Sequence, residues 1–169
     1  TGSGKTAAFL ITIFEMFERD VFEKKRAVII VPTRELAVQI EREAKLIGGH
    51  LPYKIGSFYG GVGYGEQLKM LKENCELVIG TPGRLIDLNE RKNLNFRDTS
   101  ILVVDEGDRL FDMGFLPDLR KMVKRMPPPE QPLTMLFSAT LNRRVWHLAW
   151  AYMNDPVAIV INPENLTVD

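Results

Sequence analysis

The amino-terminal residues Thr1-Gly2-Ser3-Gly4-Lys5-Thr6 restrict this chain more than any other stretch. They form the back half of the pattern G-x-x-x-x-G-K-[ST], whose opening residues fall before Thr1, so the chain is expected to belong to a longer polypeptide. In this pattern glycines let successive backbone N–H groups turn inward as an anion nest. The lysine reaches the β- and γ-phosphates, the last hydroxyl ligates Mg²⁺, and the following helix presents the positive end of its dipole. Residues 7–17 (AAFLITIFEMF) are apolar almost all round, as for a helix buried behind such a loop. A plain Gly-Ser turn capping a helix would also account for the hexapeptide alone, so the rest of the chain decides.

Short β-branched runs alternate with helix-period stretches along the whole chain. Residues 27–31 (AVIIV), 54–59 (KIGSFY), 77–79 (LVI), 101–104 (ILVV), 134–137 (TMLF) and 157–161 (VAIVI) read as strands. Residues 34–47, 66–73, 82–89, 116–126 and 143–152 read as helices between them. Near-continuous hydrophobicity in most strands means burial on both faces, as in a parallel sheet. The expected fold is therefore α/β, a mostly parallel central sheet with helices on both faces, forming a single domain over residues 1–169. Ligands of such sheets collect at the carboxyl ends of strands, so the strand-to-helix junctions are the places to look. Pro127-Pro128-Pro129 reads as a stiff surface connection.

Bulk properties narrow the function by exclusion. The chain carries 22 basic and 22 acidic side chains and no net charge, so nucleic acid would have to be held by local groups and not by an overall positive field. The single cysteine, Cys75, excludes an internal disulfide and a cysteine-rich metal site, and suits a reducing compartment. His50 and His147 have no ligand-like spacing. No run is long and apolar enough to span a membrane and no signal peptide is visible, so a cytoplasmic location without membrane partners is expected.

The junctions carry the chemistry. Strand 101–104 runs into Asp105-Glu106-Gly107-Asp108, the layout of a Walker B element. An acid at the tip of a buried strand holds Mg²⁺ directly or through water, and its neighbour orients and deprotonates the attacking water. We assign Asp105 to the metal and Glu106 to the water. An acidic cap opening the next helix explains the same residues equally well in isolation; opposite a GKT loop, the catalytic reading is favoured. Pro32-Thr33-Arg34 follows its strand directly, with Thr33 placed to cap a helix and Arg34 in a first turn, where the helix dipole disfavours a cation. An external phosphate docking there would resolve the conflict. Thr81-Pro82-Gly83-Arg84 repeats the arrangement, with the arginine expected to point outward, and Gly60-Gly61 offers bare backbone at a third strand end. Each is individually explained by a turn and a cap; together they read as a track for a sugar–phosphate backbone. The hydroxyls of Ser138-Ala139-Thr140 either cap the following helix or bond the Asp108 carboxylate.

In this order TGSGKT, PTRELA, GG, TPGR, VDEGD and SAT, spread from Thr1 to Thr140, resemble the first RecA-like domain of the DEAD-box RNA helicases. The stretches VDEGDRLFDMGF and MLFSATL look closest to bacterial members, including the helicase branch associated with the RNA degradosome. The resemblance implies a RecA-like P-loop NTPase fold and an ATP-dependent RNA helicase activity with ATP and Mg²⁺. It implies phosphate and Mg²⁺ binding by Gly2, Ser3, Gly4, Lys5 and Thr6, with Asp105 and Glu106 serving metal and water. Asp108, Ser138 and Thr140 would couple nucleotide state to RNA. Pro32, Thr33, Arg34, Gly60, Gly61, Thr81, Gly83 and Arg84 would face RNA. Implied partners are RNA, a second RecA-like domain of the same protein, and RNA-decay or ribonucleoprotein components.

Two departures stand out. Gly107 occupies the place where the family has alanine, with both acids and Asp108 retained, so hydrolysis is expected to be kept. The chain also lacks the family's upstream adenine-reading glutamine segment and the second domain with its arginine fingers, so alone it is expected to be nearly inactive. A DNA translocase and a catalytically silent RNA-binding module are the rival readings; TPGR and PTRELA speak against the first, intact Lys5, Asp105 and Glu106 against the second. Trp146 and Trp150, one helical turn apart, are expected to pack into the core or against a segment outside the chain.

Overall fold

The computed structural model describes residues 4–161. The element order is α1 (Lys5–Glu18), β1 (Ala27–Ile30), α2 (Arg34–Gly48), β2 (Ile55–Phe58), α3 (Gly65–Lys72), β3 (Leu77–Gly80) and α4 (Pro82–Glu90). A single 3-10 turn (Phe96–Asp98) precedes β4 (Ile101–Val104), followed by α5 (Gly107–Asp112), α6 (Leu116–Val123), β5 (Leu133–Leu136) and α7 (Arg143–Tyr152).

All five strands are parallel, in the order β2-β3-β1-β4-β5. Strand alternation sorts the core into two layers. Val28, Ile30, Val78, Leu102 and Val104 face one side, against Leu85 and Leu88 of α4, Leu110 of α5, Leu119 and Met122 of α6 and Val145 and Leu148 of α7. Ala27, Ile29, Leu77, Ile79, Ile101 and Val103 face the other, against Phe9, Leu10, Ile13 and Phe17 of α1 and Ala37, Ile40 and Ala44 of α2. Burial on both faces is why these strands read as unbroken apolar runs. Cys75 lies in the first layer, where burial pushes its thiol up to about 12 and keeps it protonated at neutral pH.

Topology fixes where a ligand can sit. From β1 the chain moves toward β2 and β3, whereas from β4 it moves the other way to β5. The connections diverge between β1 and β4, opening a crevice at their carboxyl ends. Register keeps those ends level: Ile30 is paired with both Gly80 and Val104, Gly80 with Phe58, and Val104 with Leu136. Every strand-to-helix junction therefore opens on the same edge of the sheet.

One expectation from the sequence fails here. Residues 157–161 form no strand: Val157, Ile159, Val160 and Ile161 are 61–86% exposed and have no ladder partner among the described residues. High β-propensity builds a strand only where a neighbouring strand supplies hydrogen bonds and a covering surface. Trp150 is 63% exposed on α7, outside the described core. The segment after β4 contains a separate short helix, α5, before α6. Among the described residues no helix is long and apolar enough to cross a membrane.

Candidate nucleotide and nucleic-acid site

Gly4 caps α1 in the left-handed region at φ 75°, a conformation that costs a residue with a Cβ about 1–2 kcal/mol. This turn launches α1 so that Lys5 and Thr6, in its first turn, line a polar cleft. Thr1, Gly2 and Ser3 lie outside the described residues. Asp105, Glu106 and Asp108 line the same cleft from the end of β4 and the start of α5, Ser138 from beyond β5, and Leu36, Gln39 and Ile40 from α2. The cleft thus coincides with the β1/β4 divergence that topology marks.

Asp105 is only 8% exposed, and its Oδ1 accepts from the Glu106 N–H at 2.9 Å. Burial raises its pKa, the Glu106 amide lowers it, the Glu106 charge raises it, and the Lys5 ammonium lowers it; the balance is upward. A desolvated carboxylate facing a lysine lacks full charge compensation, and a divalent cation would supply it. Among the described residues no cluster of three or more His, Cys, Asp or Glu could cage a metal. Thr6 and Asp105, lining the same cleft, are the residues that could hold Mg²⁺, an ion bound by one or two carboxylates together with phosphates.

Glu106 adopts φ 51° and ψ 51°, left-handed for a side chain with a Cβ, and its Oε2 accepts from Arg109 Nη1 at 3.1 Å. Non-glycine residues held there store about 1–3 kcal/mol of strain, which accumulates at functional positions. Arg109 and Gln39 line the cleft although the sequence reading named neither; the Glu106–Arg109 spacing of one helical turn was the available signal.

Asp108 ties β4 to the segment after β5. Its N–H donates to Ser138 Oγ at 3.1 Å, and its Oδ2 accepts from Thr140 Oγ1 at 3.1 Å. Partial burial pushes its carboxyl upward, but the hydrogen bonds from Thr140, Ser138 and backbone amides outweigh it and hold the pKa below the ordinary range. A depressed pKa contributes stability above the unfolded value of about 3.9 that disappears as pH falls through the folded value. The gap in urea midpoint between the parent and Asp108→Ala should therefore be constant above about pH 5 and narrow below about pH 4.

Gly107 begins α5 and donates its N–H to Phe137 O at 2.9 Å. An added Cβ would meet Leu136 Cδ1 at 3.0 Å, while Phe137 O and Ser138 Cβ lie at 3.6 and 3.9 Å. Leu136 borders a small apolar cavity that also touches Leu102 and Leu148, so its methyl has room to yield. Because Gly107 is not among the positive-φ residues, Gly107→Ala should stabilise the fold by about 0.4–1 kcal/mol. An unchanged or lower melting temperature would contradict this.

A second group of residues sits at the ends of β1, β2 and β3. Pro32 is buried, Thr33 Oγ1 accepts from Leu36 N at 3.3 Å to cap α2, and exposed Arg34 lays its guanidinium 4.9 Å from the Tyr59 ring centroid. Gly60 and Gly61 are exposed, with Gly61 at φ 81°. Thr81 precedes α4 without a side-chain cap bond, Pro82 occupies its first turn, and Gly83 is exposed. Adjacent strands lie about 4.8 Å apart, so these junctions form a continuous rim about 10 Å across. Arg84 departs from expectation: it is 9% exposed and turned inward, donating to Val62 O at 2.9 Å and Gln67 Oε1 at 3.0 Å. Those partners lie 22 and 17 residues upstream, across β3, so its direction was not readable from TPGR.

Comparison with known proteins identifies the family. A model of the DEAD/DEAH box helicase family matches residues 1–148. A relative described as ATP-dependent RNA helicase RhlB from Aeromonas hydrophila is 43% identical over 99% of this chain and 40% of its own length. The protein of the same description from Shewanella oneidensis is 44% identical over 99% of this chain and 39% of its own. Among solved structures, a hypothetical ATP-dependent RNA helicase from Sulfolobus tokodaii superposes with a TM-score of 0.82 at 32% identity, covering 92% of this chain and 44% of that one. The yeast DEAD-box splicing factor Prp28 gives 0.82 at 31% identity, covering 91% and 38%. The chain spans about 40% of the length of these curated relatives. With its RecA-like parallel sheet and a family match running from Thr1 to Leu148, the chain belongs to the DEAD/DEAH box helicases.

Proposed function

We propose that this chain is the ATP-binding half of an RNA-dependent ATPase that unwinds short RNA duplexes, acting in the cytoplasm with a second RecA-like domain of the same protein. The observation that carries the reading is the convergence of Lys5, Thr6, Asp105 and Glu106 on one cleft, beside a rim of strand ends bearing Thr33, Arg34, Gly60 and Gly61.

In this reading Gly2, Ser3 and Gly4 present amides to the phosphates and Lys5 neutralises charge on the β- and γ-groups. Mg²⁺, held by Thr6 and Asp105, would supply electrostatic stabilisation to the transferring phosphoryl group. Glu106 orients the attacking water and accepts its proton. Asp108, through Ser138 and Thr140, links the acidic turn after β4 to the end of β5, so that a shift at the nucleotide is felt along the strand ends. Pro32, Thr33, Arg34, Gly60, Gly61, Thr81 and Gly83 offer backbone and cationic contacts to the sugar–phosphate chain, which position RNA without reading its bases. On its own this segment would turn over ATP negligibly, since an arginine finger contributed from elsewhere is worth about 10³–10⁵ in rate in phosphoryl-transfer enzymes. RNA-decay or ribonucleoprotein components are proposed as further partners, on the resemblance of the stretches VDEGDRLFDMGF and MLFSATL to the degradosome-associated helicase branch.

The test is ATP turnover by the full-length protein with single-stranded RNA, with DNA of the same sequence, and with neither. Stimulation by RNA alone supports the reading. Equal stimulation by DNA would favour a DNA translocase, and no turnover under any condition would favour a silent binding module.

A further inference from the structure

The loop between β2 and α3 is tied down on both sides of its glycines by one buried pair. Gln67, 7% exposed, donates to Tyr59 O at 3.3 Å and accepts from Arg84 Nη1, while Arg84 Nη2 donates to Val62 O. Tyr59 and Val62 immediately flank Gly60-Gly61. The two carbonyls bounding the glycine pair are therefore gripped by side chains from α3 and α4. Beneath the loop, the Arg84 and Arg91 guanidiniums lie 4.2 and 4.4 Å from the Tyr64 ring centroid. The Tyr64 hydroxyl donates to Asp87 Oδ2, whose Oδ1 accepts from Arg91 Nε at 3.1 Å. A fork-shaped guanidinium bonds two acceptors at fixed geometry, whereas an ammonium in the same place is a point charge. Gly61, at φ 81°, sits in a region that glycine enters about as readily as its mirror image, so the residue does not fix the loop and contacts from outside it must.

We propose that Arg84 and Gln67 are positioning residues that fix the Gly60-Gly61 backbone as a preformed phosphate-docking surface, and that Arg84 itself is not a phosphate ligand. The inference deepens the RNA-binding reading above and rests on it for its consequence, but not for the loop geometry. Preorganised amides bind an anion without an ordering cost at the moment of contact.

Two measurements on the full-length protein separate the clamp from the RNA reading. The first is the backbone ¹⁵N order parameters of the parent, Arg84→Lys and Gln67→Leu, since the clamp grips carbonyls and not amides. The clamp predicts lower order parameters at residues 60–63 in both variants, with β1 and β4 unchanged; unchanged order parameters at residues 60–63 overturn the proposal even if the protein binds no RNA. The second is the affinity for a single-stranded oligoribonucleotide across a salt series. Both variants should bind at least about tenfold more weakly, the scale of one lost charge-assisted hydrogen bond, with the slope of log affinity against log salt unchanged. A slope reduced by about 0.7 in an Arg84→Gln variant would make Arg84 a phosphate contact and overturn the proposal. So would parental affinity in Arg84→Lys. Absence of RNA binding by the parent would sink the functional reading and leave the order parameters to judge the clamp.

Discussion

Glu106→Gln in the full-length protein should lower RNA-stimulated ATP turnover by about 10²–10⁴-fold, the contribution of a positioned general base. Glutamine keeps the length of the side chain and a carbonyl oxygen for Arg109, which now donates to Glu106 Oε2 at 3.1 Å. It cannot accept a proton from water. The left-handed backbone at φ 51° is set by the turn from β4 into α5, anchored by Gly107 N donating to Phe137 O, and does not depend on the carboxylate. The melting temperature and nucleotide affinity should stay close to the parent while kcat collapses. Turnover within tenfold of the parent would remove Glu106 from the chemistry.

Asp105→Asn should move activity and stability in opposite directions. In the proposed reading the carboxylate helps hold the metal, and its loss should cost several kcal/mol of transition-state stabilisation, or about 10²-fold or more in rate. Without nucleotide, however, the substitution removes a buried charge whose pKa desolvation has raised. A folded-state pKa above the unfolded value means stability falls as pH rises from the ordinary carboxylate range through the raised value. The variant should therefore melt higher than the parent at neutral pH, and the difference should vanish below about pH 4. Its Oδ1 can still accept from the Glu106 amide, so the turn is preserved. Adding Mg²⁺ and ATP should reverse the order, because ligand stabilises only the form that binds it. A variant less stable than the parent without nucleotide would indicate that Asp105 is structurally paired and not poised for a cation.

The parts of the fold legible from residue order are those whose signal is local. β1 and β4 read directly because burial on both faces leaves unbroken apolar runs, and α7 because residues 143–152 keep a helical period, although its cap is Asn142 and not the Ser138 or Thr140 hydroxyl. The acidic turn and the Lys5 helix were each ambiguous alone, and their meaning came from being opposed across one cleft. What resisted reading depends on distant partners. Arg84 faces inward because Val62 O and Gln67 wait there, and nothing in its own tetrapeptide carries that information. Residues 157–161 have the composition of a strand, but a strand exists only where another offers an edge. Trp150 has the bulk of a core residue but stays 63% exposed among the described residues, which leaves the second of its two expected packing partners, a segment outside the chain.

The most direct test of the account is a crystal structure of the full-length protein with Mn²⁺ replacing Mg²⁺ and a non-hydrolysable ATP analogue, with the metal located by its anomalous signal. One Mn²⁺ is expected at the Thr6 hydroxyl and the Asp105 carboxylate, with the Lys5 ammonium on the phosphates of the analogue. A nucleotide seated elsewhere, or a metal that engages neither Thr6 nor Asp105, would contradict it.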